Sequence, residues 1–321
     1  MSWDKFGHRD LVRQLGLDIS QLLAFIMVGC CVDQESTRDA QNNVGKWFWK
    51  KMTYKLIDVQ VLTPRIGAVV HGVDLTKALS EEMFQEIHAA WMDHLVLFFR
   101  DQAMTLDQHL AFGERFGELH IHPAAPYANE NPALMKIHTD KDSARNNGEG
   151  WHSDVSADQL PPMASILHIH SAPSEGGDTL WANMYEAYDA LSDTFKDLLE
   201  PLTAIHAADY SGFYGEHAPQ RESPRAEHPV IRTHPVTKRK GLFVNSGFTK
   251  RIKGITKAES DSLLGFLFDH IKNPNFHCRF NWLANSVALW DNRCTQHMAV
   301  WDYYPQTRTG IRVTVKGDKP C

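Results

Sequence analysis

Neither glycine loop that cradles nucleotide phosphates occurs in the chain: there is no G-x-G-x-x-G and no G-x-x-x-x-G-K-[ST]. Cysteine is scarce. The five present (Cys30, Cys31, Cys278, Cys294 and Cys321) make no C-x-x-C pair and no even framework, which excludes a disulfide scaffold and fits free thiols in a reducing, cytoplasmic compartment. Positive charge is not in excess either, since 33 basic against 39 acidic residues leave a net charge of −6 and no electrostatic footprint for nucleic acid. The apolar run Leu22–Cys31 is far shorter than the roughly 18 residues a membrane span needs. It follows the charged residues Asp4, Lys5, Arg9, Asp10 and Arg13 and has no small-residue cleavage site after it, so neither an anchor nor a signal peptide is expected. What remains is 321 residues, 43% hydrophobic, long enough to bury a large core without staples.

Residues 1–51 read as an atypical, poorly ordered N-terminal extension, and residues 52–321 as the folded domain. Within the domain, Lys55–Leu62, Ala68–Val70 and Leu95–Arg100 are predicted strands. Ser80 followed by two glutamates caps a predicted helix to Asp93, with Met83, Ile87, Ala90 and Trp91 at helical spacing, and Thr105–Phe116 is a second. Residues 122–150 are rich in Pro and Gly and read as a long irregular segment, the kind that more often carries function than fills space. Strand-like runs follow at Ala164–His170, Thr179–Trp181, Gly241–Val244, Ser286–Asp291 and Gly310–Val315, interrupted by helices at Tyr185–Leu199 and Lys257–Ile271. Many short strands with helices grouped mainly ahead of them point to a mainly β, double-sheet jelly roll with flanking helices rather than alternating βαβ units.

His-x-Asp occurs three times, as His8-Arg9-Asp10, His138-Thr139-Asp140 and His152-Ser153-Asp154. On a strand, residues i and i+2 point to one face and can meet one ion. With a second imidazole from elsewhere, such a pair occupies one face of an octahedral metal and leaves open positions, as non-haem Fe(II) oxygenases require; Zn(II) hydrolases use a similar set. The spacing alone is weak, and 18 histidines make any single one weak evidence. The third copy is the best placed, between Trp151 and the apolar strand Ala164–His170, and His297 beyond the strand Ser286–Asp291 is the candidate partner. Arg308 and Arg312 share a strand face; two guanidinium groups turned into an apolar core call for anions. His120, His168, His170, His206, His234 and His270 read as core or surface histidines, and Gly176-Gly177 as a tight turn.

Several blocks in order resemble the taurine dioxygenase (TauD/TfdA) family. They are Trp151-His152-Ser153-Asp154, Gly176-Gly177-Asp178-Thr179-Leu180-Trp181, His228-Pro229-Val230, Arg232-Thr233-His234-Pro235, Phe243-Val244-Asn245, Leu289-Trp290-Asp291-Asn292-Arg293 and Thr295-Gln296-His297. The resemblance implies a double-stranded β-helix (cupin-like jelly roll), with Fe(II) held by His152, Asp154 and His297, and O2 and 2-oxoglutarate as co-substrates. It implies further that Thr179 and Arg308 hold the distal carboxylate of 2-oxoglutarate. His122, Phe248 and Arg312 fall at substrate positions, Arg312 where the taurine enzyme grips a sulfonate. The implied reaction hydroxylates the substrate beside its sulfonate, releasing sulfite and an aldehyde.

Two positions depart from the taurine enzyme: Ala125 stands for its tyrosine and Gly148 for its asparagine. Both losses make the pocket roomier and less polar, which points away from taurine toward a larger sulfonate, an alkyl sulfate ester or an aryloxyalkanoate. The expected partner is thus a small anionic organic molecule, with neither nucleic acid nor membrane, and relatives suggest a dimer or tetramer. A Zn(II) hydrolase on the same scaffold, which has no evident use for two strand arginines and Thr179, and a non-catalytic binding module, against which an intact ligand triad argues, stay open at this point.

Overall fold

A computed structural model of the chain describes residues 53–122, 131–146, 148–209 and 223–321. The extension expected over residues 1–51, together with His8-Arg9-Asp10, Cys30 and Cys31, lies outside the described residues, as does Ala125.

The described chain begins with β1 (Asp58–Val61) and β2 (Ala68–His71), then helix α1 (Glu81–His94), β3 (Val96–Phe99), α2 (Leu106–Glu114), β4 (Leu119–His120) and β5 (Met135–Thr139). Next come β6 (Ala164–Ser171), β7 (Thr179–Asn183), α3 (Met184–Asp189), α4 (Asp193–Leu199), β8 (Thr203–Ala207), β9 (Arg225–Pro229), β10 (Ile231–Thr233), β11 (Lys240–Leu242) and β12 (Thr249–Ile252). The chain closes with α5 (Lys257–His270), β13 (His277–Phe280), β14 (Ser286–Asp291), β15 (Thr295–Ala299) and β16 (Arg308–Val315).

A large sheet runs β1-β2-β3-β14-β6-β16-β4, with β5 also paired to β16, and a smaller sheet runs β13-β7-β15. An aromatic layer joins the two. Phe98 of β3 stacks on Phe280 of β13 at 3.9 Å and meets Trp181 of β7 edge-on, and Trp181 in turn packs against Trp290 of β14. These rings are buried, and each large apolar side chain withdrawn from water contributes about 1.5–3 kcal/mol. The mainly β jelly roll with flanking helices is therefore present. Gly310 makes the tight pairing of β6 with β16 possible, because a Cβ there would stand 2.6 Å from the His168 carbonyl.

The helix expected after Ser80 is α1, whose N-terminus is closed by Ser80 accepting from the Met83 N–H. Its buried face is Phe84, Ile87, Ala90 and Trp91; Met83 is only half-buried. Thr105 caps α2 with a reciprocal bond from Gln108. Three expectations need correction. The helix foreseen over Tyr185–Leu199 is two, since Ser192 caps a new start by accepting from the Phe195 N–H. The irregular segment before Gly150 contains β5, paired along β16. The sheet β12-β8-β9 was not foreseen, because its strands are short and interspersed with polar residues.

The fold buries histidines that the site does not use, and this gives a pH prediction. Burial pushes His109 and His206 down to about 3, with neighbouring His168 and His228 adding to it. The unfolded chain protonates near 6.5, so below that pH the unfolded state binds more protons and stability falls as pH falls. Each of the two contributes about 1.4 kcal/mol per pH unit. The urea midpoint is expected to drop markedly between pH 7.5 and pH 5; a midpoint constant over that range contradicts the neutral burial of both rings.

Candidate metal and anion site

The site is built where the two sheets come together. His297 lies on β15, opposite Trp181 of β7, and pairs through its backbone with His152: the His152 N–H donates to the His297 carbonyl at 3.1 Å and the His297 N–H to the His152 carbonyl at 2.8 Å. This single antiparallel bridge, 145 positions apart in sequence (297 − 152), sets the two imidazoles side by side with ring centres 4.1 Å apart. Asp154 then opens a turn rather than continuing a strand, with Val155 at φ 47°. The i, i+2 spacing thus acts at a strand's end.

His152 Nδ1 sits 2.7 Å from the Gly150 carbonyl, which can only accept, so the proton belongs on Nδ1 and the Nε2 lone pair is left bare. That Nε2 is 3.8 Å from Asp154 Oδ1, and His297 Nε2 is 4.0 Å from the same oxygen. Burial favours neutral rings at both histidines, lowering His152 and taking His297 well below its ordinary value. At Asp154 burial would raise the carboxyl, but Arg312 above all, then His297 and His152, outweigh it and hold the group far below the usual carboxylate range. Two neutral imidazoles and one carboxylate converging within 4.8 Å are a donor set that suits a divalent metal ion such as Fe(II).

Residues not singled out in the sequence hold Asp154 in place. Ser165 Oγ donates to Asp154 Oδ2 at 2.6 Å, Asn292 Nδ2 donates to Ser165 Oγ at 2.8 Å, and Asn292 Oδ1 accepts from the Asp154 N–H and the Trp290 indole. The only sign of Ser165 in the sequence is a hydroxyl inside an apolar strand. Asn292 stands in the Leu289–Arg293 block, which carries the family resemblance without giving it a role.

All eight site candidates, His122, His152, Asp154, Thr179, Phe248, His297, Arg308 and Arg312, line one cavity of about 530 Å³. Arg308 is buried and places Nη2 3.4 Å from Thr179 Oγ1, the Trp282 indole N–H donating to the same hydroxyl at 3.0 Å. Among the described residues the Thr179 hydroxyl is the one hydrogen-bond partner of this guanidinium, and its Nε has none. Burial accordingly lowers its pKa. An unpaired buried guanidinium beside a threonine hydroxyl is a carboxylate-binding arrangement. Arg312 is already engaged, Nη1 on Asp154 Oδ1 at 2.5 Å and Nη2 on Met135 Sδ at 2.8 Å, with Nε unpartnered. Gly148 also lines the cavity at φ +95°, and a Cβ there would stand 3.3 Å from His152 Cε1.

Other candidate clusters fall outside the cavity. His138 and Asp140 pair at 3.2 Å on the partly exposed side of β5. His234, Asp291 and Cys294 lie close enough to hold a metal, but Arg293 grips both Asp291 oxygens (Nε to Oδ1 at 2.8 Å, Nη2 to Oδ2 at 2.6 Å) while His234 Nε2 lies 3.0 Å from Oδ2. That carboxylate is neutralised without an ion. None of His120, His168, His170, His206, His234 or His270 lines the cavity. No helix among the described residues is long and apolar enough to cross a membrane.

Comparison with known proteins agrees with this geometry. Residues 58–314 match the model of the "Taurine catabolism dioxygenase TauD, TfdA family". An alpha-ketoglutarate-dependent sulfate ester dioxygenase of Pseudomonas putida is 36% identical over 82% of this chain and 91% of its own. An alpha-ketoglutarate-dependent sulfonate dioxygenase of Saccharomyces cerevisiae is 32% identical, over 88% of this chain and 72% of its own. A crystal structure of a taurine dioxygenase from Burkholderia xenovorans superposes with a TM-score of 0.74 at 38% identity, covering 83% of this chain and 91% of that one.

Proposed function

Since this chain belongs to the taurine catabolism dioxygenase (TauD/TfdA) family, we propose that it hydroxylates a small organic sulfonate at the carbon bearing the sulfonate, using Fe(II), 2-oxoglutarate and O2, and releases sulfite and an aldehyde. The domain that does this is residues 52–321. When bound, Fe(II) with 2-oxoglutarate and O2 supplies the oxidant, 2-oxoglutarate leaving as succinate and CO2.

The chain's own residues bind and orient. His152 Nε2, Asp154 Oδ1 and His297 Nε2 would hold the Fe(II), and the cavity they line would admit the small molecules. Thr179 and Arg308 hold the distal carboxylate of 2-oxoglutarate. Arg312 does two things: it keeps Asp154 ionised, and it presents a cation to the sulfonate, so the substrate's head lies beside the metal and its carbon within reach. His122 and Phe248 complete the substrate wall; the Phe248 and His152 rings lie 6.3 Å apart. Asn245 supports that wall, accepting from the Phe248 N–H at 2.8 Å while its Nδ2 donates to Ser156 Oγ at 3.0 Å, two residues beyond Asp154.

The observation that carries the reading is the buried Arg308, with no anion on it, in the same cavity as the His152, Asp154 and His297 donor set; a zinc hydrolase would leave that cation idle. Glycine at 148, which puts no polar side chain on that part of the cavity wall, favours one second reading, the same chemistry on an alkyl sulfate ester, where hydroxylation at the ester carbon yields an aldehyde and sulfate. The test is a panel of alkyl sulfonates, alkyl sulfates and aryloxyalkanoates scored by succinate together with sulfite or sulfate. Succinate is expected in step with sulfite from a sulfonate. Products without 2-oxoglutarate, or no succinate from any member, would remove the oxygenase reading.

A further inference from the structure

Asn146 has no task in the reaction just described, and its surroundings give it one. It lies on the segment leading to His152, where its backbone N–H donates to Glu149 Oε1 at 2.7 Å. The residue is 4% exposed and lines the same cavity as the metal set. Neither Oδ1 nor Nδ2 of its side chain has a hydrogen-bond partner among the described residues. A buried amide with donors and acceptor both unmet is costly, and native proteins rarely keep one without a reason. The other unmet nitrogens on this wall, on Arg308, Arg312 and His297, belong to groups to which the proposed reaction already gives a task.

The chemistry of the amide narrows what it meets. A carboxamide is neutral and adds little to the grip on a sulfonate, which Arg312 holds by charge. It donates and accepts at once, so it fits a neutral group that does the same. Gly148, two residues on, adds no side chain to the same wall. We propose that Asn146 is a specificity-determining residue that hydrogen-bonds a hydroxyl or amide carried on the substrate's carbon chain, so the enzyme prefers a hydroxy- or carboxamide-substituted sulfonate to the plain alkyl sulfonate of equal length. The proposal rests on the reading of the cavity as a dioxygenase substrate site.

The test compares wild type with Asn146→Leu, close in volume and without polar atoms, on chain-matched pairs of substituted and plain alkyl sulfonates, read by sulfite release. Wild type is expected to favour the substituted member by about ten- to hundredfold in kcat/KM, because the plain one leaves the amide unmet. In Asn146→Leu that ratio collapses toward one. The Tm of the unloaded variant is expected to hold or rise, since an unsatisfied amide has been replaced by an apolar group. Asn146→Ala gives the same collapse and covers the case in which leucine is not accommodated. An unchanged ratio in either folded variant, no preference in wild type, or equal losses on both members with a lowered Tm would overturn the proposal. Wild type inert on every sulfonate and sulfate would instead refute the reaction itself.

Discussion

His297→Ala is expected to lose Fe(II) binding and 2-oxoglutarate turnover together, while His138→Ala keeps both. The two histidines share a residue type and a nearby aspartate, and geometry alone separates them. His297 is buried between Trp181 and Trp290, its Nε2 aimed at the oxygen that His152 also faces. His138 is partly exposed on β5, its Nδ1 2.8 Å from the Thr309 hydroxyl and its Nε2 3.2 Å from Asp140. Removing even an outer partner of a metal ligand lowers metal affinity by about 10–100-fold, so losing one of three ligands should exceed that range. The check is anaerobic titration with Fe(II) and 2-oxoglutarate, following the visible metal-to-ligand charge-transfer band, beside a thermal melt. Wild type and His138→Ala should give the band, and His297→Ala should melt cooperatively without it. A band retained in His297→Ala, or lost in His138→Ala, would move the metal elsewhere; no band in wild type would favour the zinc hydrolase.

Much of the fold and nearly all of this site were legible in the chain, for different physical reasons. The helices α1 and α2 announce themselves through Ser80 and Thr105, because a cap is a local bond between residues three apart. Buried strands such as Ser286–Asp291 read as short apolar runs. The split between α3 and α4 was harder, since Ser192 serves equally as an interior or a capping residue until packing decides. At the candidate site, the triplet His152, Asp154 and His297 was picked out by spacing and by the order of the blocks around it. The bridge that joins His152 to His297 is a pairing between distant segments and leaves no local mark. The same holds for Ser165 and Asn292, whose bonds to Asp154 exist only once β6 and β14 lie side by side. Arg312 shows the difference most plainly. Its strand spacing pointed to an anion, and the nearest anion is Asp154 itself.

Arg308→Ala is expected to raise the 2-oxoglutarate requirement by about 100-fold or more, the scale on which a desolvated charge pair loses one partner. The same change should not weaken the unloaded fold. Among the described residues Arg308 hydrogen-bonds only the neutral Thr179 hydroxyl and leaves Nε unmet, and its cation lies 5.4 Å from the Trp282 ring, so alanine removes an uncompensated buried charge along with some packing. Arg308→Lys keeps the charge but loses the two-pronged grip and should fall between. Arg312→Ala should behave differently: 2-oxoglutarate saturation changes little, whereas turnover stimulated by the sulfonate falls steeply and succinate forms without matching sulfite. Because Arg312 also leads in holding Asp154 low, its removal lets that carboxyl rise toward the ordinary range, and the acidic limb of the pH–rate profile should move to higher pH. Saturation curves for 2-oxoglutarate and sulfonate, with the ratio of succinate to sulfite, separate the two roles. If both variants shift the same co-substrate to the same extent, one guanidinium does not serve 2-oxoglutarate and the other the sulfonate, and the two act as one anion site.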